Sequence, residues 1–117
     1  MKLLTIRKRS TGQVLGDRIR HCTTGRDRRV GLLKDKELGP GDGILLEPCE
    51  GVHTFGMKFP IDIVFLNRNR KIVALYPAVP ARRLRVSLRA HSTLELPAGS
   101  IARLGLKAEQ PLEITSA

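Results

Sequence analysis

Apolar and polar residues alternate with a period of two along most of this chain, and only two short stretches carry helical spacing. Leu3 to Arg9 predicts an opening strand, and Ser10-Thr11-Gly12 a turn into a second short strand near Gln13 to Leu15. Ile19 to Cys22 predicts a third. Thr23 and Thr24 are N-cap residue types, and Asp27, Val30, Leu32 and Leu33 place a short helix over about residues 24–34. Gly39-Pro40-Gly41-Asp42-Gly43 then forbids helix, and Ile44 to Leu46 restarts extended structure. After a turn at Pro48 to Gly51, His53, Phe55, Met57 and Phe59 fall on one face of an extended segment, with Thr54, Gly56 and Lys58 on the other. Pro60 interrupts that ladder. Ile61, Ile63 and Phe65 oppose Asp62, Val64 and Leu66, a pattern apolar enough to bury both faces. Residues 67–70 read as a hairpin turn, with Ile72 to Tyr76 as its return strand. Leu84-Arg85-Val86 alternates weakly and Thr93-Leu94-Glu95-Leu96 cleanly. Ser100 caps one or two helical turns that Gly105 stops, and a last strand lies near Leu112 to Ile114. Many short strands with one or two short helices make a mainly β fold, a small β-sandwich or partly closed barrel, in a single domain spanning residues 1–117.

Composition narrows this picture. With 41% hydrophobic residues but no Trp, one Tyr and three Phe, the core is built from Leu, Ile, Val and Ala. No run reaches the roughly 18 apolar residues of a membrane span. Arg7-Lys8-Arg9 cuts off the apolar start of the chain before it reaches signal-peptide length, so a cytoplasmic protein is expected, with Cys22 and Cys49 as free thiols. The net charge of +10 is unevenly placed: +7 over residues 1–30, −3 over 31–66, +7 over 67–91 and −1 over 92–117. Two basic blocks on one face would attract a polyanion weakly and without sequence preference; on separate faces they are solvated surface. Arg82, Arg83, Arg85 and Arg89 are the candidate anion-binding residues, because no acid lies among them.

Gly31-Leu32-Leu33, Gly43 to Cys49, Val52 to Leu66 and Leu94 to Gly99 occur in an ordered combination that resembles the uncharacterised bacterial and archaeal family called domain of unknown function 192. The resemblance covers about residues 23–114 and implies a β-sandwich of jelly-roll type with no established activity. Many members of that family resemble secreted or lipid-anchored proteins and carry an aromatic-Trp-Met-Lys-Asn motif. Here Gly56 stands in place of the Trp and Phe59 in place of the Asn, which makes this the cytoplasmic-looking variant.

The run from Pro48 to Phe65 holds the densest chemistry. Cys49, His53 and Asp62, with Thr54 and Met57, are the candidate ligand site, and they mark a small binding or accessory module rather than a complete enzyme. A thiol hydrolase would pair Cys49 as nucleophile with His53 as base and Asp62 as its orienter. That pairing needs a chain reversal at Glu50-Gly51, since a straight strand would leave residues 49 and 53 about 13 Å apart. A zinc site would draw on Cys49 and His53, with His21, Cys22 or the more distant His91. The bland alternatives are a packed His53, a buried Cys49 and an Asp62 that ties down backbone N–H groups. These residues spell out no reaction and no cofactor. Gly39 to Gly43 lacks the ending of a phosphate-binding loop.

Overall fold

The run Ile61-Asp62-Ile63-Val64-Phe65-Leu66 is buried at all six positions, as a strand enclosed on both faces must be. In chain order the strands are β1 (Leu3–Lys8), β2 (Val14–Cys22), β3 (Asp42–Leu46), β4 (Gly51–His53), β5 (Ile61–Leu66), β6 (Ile72–Val79), β7 (Leu84–Val86), β8 (Ser92–Pro97) and β9 (Leu112–Ser116). Two short helices, α1 (Gly25–Val30) and α2 (Ser100–Leu104), complete the protein. The structure, a computed structural model, describes residues 1–117. Seven strands form one sheet in the order β6-β5-β8-β3-β2-β1-β9, curled into a half-barrel, and β4 and β7 form a separate two-stranded ribbon. The expected mainly β fold with two short helices is what the chain adopts, in its partly closed form. Every pairing in the large sheet is antiparallel except that of β2 with β3.

Alternation divides the core in two. Leu45, Val64, Leu66, Leu94 and Leu96 point to one face, where they join Ile6, Ile19, Leu104 and Leu112. Ile44, Leu46, Ile61, Ile63 and Phe65 point to the other, together with Cys22 and Leu32, and Val52, Met57 and Tyr76 pack over them. Each fully buried Leu, Ile or Phe contributes about 1.5–3 kcal/mol, so both faces stabilise the sheet.

Three local outcomes depart from the expected elements. Residues 14–22 are one continuous strand rather than two pieces. Gly16 is a close-packing position in it, where a Cβ would lie 2.6 Å from Ile19 Cδ1 and 2.9 Å from the Gly41 carbonyl oxygen. The first helix is shorter than expected: Thr24 Oγ1 accepts the Asp27 N–H, but Gly31, at φ 46°, ends the helix by returning its N–H to the Asp27 carbonyl. The extended segment expected through residues 53–59 stops at His53. The Met57 N–H returns to the Thr54 carbonyl at 3.1 Å and Gly56 sits at φ 84°, so His53, Phe55, Met57 and Phe59 do not share one strand face.

Candidate functional site

Asp62 and Thr54 hold the fold. Asp62 is fully buried, its Oδ1 accepting the N–H of Ala78 at 2.7 Å and of Gly99 at 3.2 Å, and its Oδ2 the N–H of Ile101 at 2.7 Å. It thereby fastens β5 to the end of β6 and to the start of α2. Thr54 Oγ1 donates to the Pro80 carbonyl at 2.6 Å and accepts the Arg83 N–H at 2.9 Å, anchoring the turn after β4 to the approach of β7.

Cys49, His53 and Met57, by contrast, line one cleft of about 710 Å³, which does not include Asp62 or Thr54. Its walls are the α1 segment through Leu33, the Pro48–His53 stretch with β4, and the Arg68 and Ala90-His91 turns. Leu32, Leu46, Val52 and Met57 give it an apolar lining, and Arg28, Arg29 and Arg68 supply positive charge. Cys49 and His53 form no nucleophile–base pair: the Cys49 thiol donates to the Gly51 carbonyl at 3.2 Å, and the His53 ring packs on Phe55 at 5.8 Å between centroids. No three His, Cys, Asp or Glu side chains converge as metal ligands.

The floor of the cleft is a residue the sequence reading passed over. Glu95, on β8, stands opposite Ile44 of β3 on one side and Ile63 of β5 on the other, and is 5% exposed. No protein donor hydrogen-bonds its carboxyl group. Burial alone pushes its pKa up to about 7. A group that is half protonated near neutral pH can donate a hydrogen bond or accept one, and can take up or release a proton. An acid between two leucines in the alternating run Thr93-Leu94-Glu95-Leu96 carries no sign of burial. The available signal was that β5 is apolar on both faces, which requires cover over its neighbour as well.

A second polar cluster adjoins the cleft through His91. Glu47 accepts hydrogen bonds from Arg70 at 2.6 and 3.3 Å and pairs with His21 Nε2 at 3.0 Å, with His91 Nε2 at 3.7 Å. Burial is the largest single influence and acts to raise its pKa. The hydrogen bonds and charges of Arg70 and His21 together outweigh it and hold the carboxyl below the usual range.

The Arg-rich segment divides as well. Arg82, Arg83 and Arg89 are exposed, whereas Arg85 is half-buried with its guanidinium 5.4 Å from the centre of the Tyr76 ring. No helix of the chain is long and apolar enough to cross a membrane.

The family model for domain of unknown function 192, described as an uncharacterised ACR, matches residues 6–114, and the chain belongs to that family. Comparison with curated proteins finds no match. Among solved structures, a protein of unknown function from Novosphingobium aromaticivorans superposes with a TM-score of 0.81 at 22% identity, over 94% of this chain and 82% of that one. A "putative transcription regulator" from Sinorhizobium meliloti superposes equally, with a TM-score of 0.81 at 21% identity, over 94% of this chain and 90% of that one. At such identities the likeness is one of fold.

Proposed function

We propose that this member of the domain of unknown function 192 family is a small-molecule binding domain whose ligand occupies the cleft and hydrogen-bonds Glu95 at its floor. The observation that carries this reading is a carboxyl group buried without a protein partner at the end of an open cleft. The Glu95 carboxyl is largely desolvated and opens only to the cleft, so a ligand that hydrogen-bonds it there offsets the cost of its burial. The cleft's size is within the range of small-molecule sites, and its lining is mixed, with apolar side chains beside arginine, histidine and glutamate groups. Arg28, Arg29 and Arg68 favour a ligand with an anionic group, while Leu32, Leu46, Val52 and Met57 favour an apolar body. Protonated Glu95 donates to a carbonyl or hydroxyl oxygen; ionised, it accepts from an amide or hydroxyl.

A pKa near 7 also favours a second reading, in which Glu95 is a general acid or base toward the bound molecule. The thiol reading is weaker, because Cys49 is committed to the Gly51 carbonyl. The test is an amide NMR screen with three small fragment sets: carboxylates, phosphates and neutral sugars. Saturable shifts clustered at Leu46, Val52, His53 and Glu95, and abolished in Glu95→Leu, which removes both donor and acceptor, support the reading. Hits that scatter over the surface, or that persist unchanged in Glu95→Leu, refute it.

A further inference from the structure

Seven large hydrophobic side chains of this chain are exposed, and four of them, Phe55, Leu84, Val86 and Leu88, belong to the β4–β7 ribbon or the turns at its ends. Leu88 is 83% exposed, Leu84 63% and Phe55 55%. The ribbon is two-faced. Val52 of β4 packs inward on the second core, and its cross-strand partner Arg85 covers Tyr76. The outer face alternates with these and carries His53 opposite Leu84 and Gly51 opposite Val86. Phe55 continues the face at one end through its contact with His53, and Leu88 lies two residues past β7 at the other.

Apolar side chains left in water on adjacent positions of one ribbon mark an interaction surface. Its surroundings are cationic: Arg82 and Arg83 precede β7 and Arg89 follows it, all exposed. Two acids lie nearby. Glu50 is exposed beside Leu88, and Glu109 makes a 3.5 Å ion pair with Arg89 in which both side chains are mostly in water, so the pair screens Arg89 little.

We infer that this ribbon docks on the surface of an anionic lipid bilayer, with Phe55, Leu84 and Leu88 in the headgroup boundary and Arg82, Arg83 and Arg89 on the lipid phosphates. Three alternatives fit less well. A second copy of the chain would bring two like-charged rims together. A nucleic acid would use the arginines but leave Leu84, Val86 and Leu88 without a role, since aliphatic side chains make no stacking platform. A folded acidic partner needs complementary relief, and apart from a concavity that reaches Leu88 and Arg89 the face offers none, with Phe55, Leu84 and Val86 lining neither that concavity nor the Glu95 cleft. A bilayer boundary accepts both components of the patch at once.

The chain has no Trp, so Phe55→Trp gives a single emission probe at the proposed contact. The experiment mixes this variant with vesicles of phosphatidylcholine alone and of phosphatidylcholine with phosphatidylglycerol. It is repeated in the Leu84→Gln/Leu88→Gln and Arg82→Gln/Arg83→Gln/Arg89→Gln backgrounds, where every substituted side chain is exposed in the folded protein. A blue shift and co-sedimentation are expected with the anionic vesicles only. Partitioning should fall on the order of tenfold in the Leu pair, at unchanged charge, and on the order of a hundredfold in the Arg triple. Absence of binding to anionic vesicles overturns the inference. So does binding without a blue shift that the Leu pair leaves intact, which would be charge attraction alone. Heparin or single-stranded DNA retention equal in wild type and the Leu pair, without vesicle binding, assigns the arginines to nucleic acid instead. A wild-type dimer that the Leu pair dissociates, without vesicle binding, assigns the face to a second copy.

Discussion

Asp62 and Glu95 lie one register step apart on the paired strands β5 and β8, Asp62 facing Leu96 and Glu95 facing Ile63, and they project from opposite faces of the sheet. Both carboxyl groups are buried, but Asp62 accepts three backbone N–H groups and Glu95 accepts none. One is spent on holding the fold. The other lies at the floor of a cleft.

Removing the Asp62 carboxyl leaves three buried donors without an acceptor. Asp62→Ala is therefore expected to destabilise the protein by about 3 kcal/mol in urea melts. Asp62→Asn should recover part of that, because an amide oxygen in place of Oδ1 still receives Ala78 and Gly99, while its NH₂ group faces the Ile101 N–H. An unchanged midpoint for Asp62→Ala would show that the donors find other partners.

Glu95 has the opposite energetics. Its folded pKa, about 7, is above the ordinary 4.5, so the folded state holds its proton more tightly than the unfolded state between those values. Stability accordingly falls as pH rises from 4.5 to 7 and stays lowered above that, by about 3 kcal/mol. Glu95→Gln abolishes the titration. The variant should match wild type in chemical melts at pH 4 and exceed it by about 3 kcal/mol at pH 8. A difference that does not vary with pH would mean that the carboxyl is not desolvated.

The sign reverses at Glu47, whose pKa is lowered because Arg70 and His21 overcome the effect of burial. Its contribution is present above the ordinary carboxyl range and is lost as pH falls through the depressed value. Arg70→Met should cost about 1 kcal/mol at pH 7, a modest figure because solvent reaches the cluster. The deficit should shrink below pH 4. A constant deficit would trace the loss to packing of the Arg70 stem.

Gly43 on β3 leaves no room for a side chain: a Cβ there would sit 2.7 Å from the Glu95 carbonyl oxygen and 2.9 Å from Ile19 Cδ1. Because the first obstacle is backbone, it cannot rotate away. Gly43→Ala should cost about 3 kcal/mol or more by thermal or urea melt. A neutral effect would mean that the sheet is looser at this crossing.

How far the sequence carried can be judged strand by strand. Ile61 to Leu66 was legible to the residue because an apolar run bounded by Pro60 and a turn admits one reading, whereas Leu84 to Val86 alternates only weakly and still forms a strand. The helix after Thr24 was placed but overextended, since Leu32 and Leu33 mimic helical spacing while in fact leading the chain back toward the sheet. Of the Pro48 to Phe65 run, Cys49, His53 and Met57 line the cleft. Its carboxylate, Asp62, joined the framework, because being near in sequence does not decide which face of a sheet a residue takes. Glu95 was hidden for the same reason in reverse. One acid in a clean alternation signals solvent, and only the seven-strand order, with β8 between β5 and β3, and the segments that wall the cleft reveal that this face is buried.

The most direct test of this account is a ¹³C NMR titration of the Glu95 side-chain carboxyl in the folded protein without added ligand, assigned by comparison with Glu95→Gln. A midpoint of about 7 is the predicted result for a desolvated, partnerless acid at the floor of the cleft. A midpoint near the ordinary carboxyl value of about 4.5 would contradict it, placing the group in water or in a hydrogen-bonded pair and removing the basis for the proposed site.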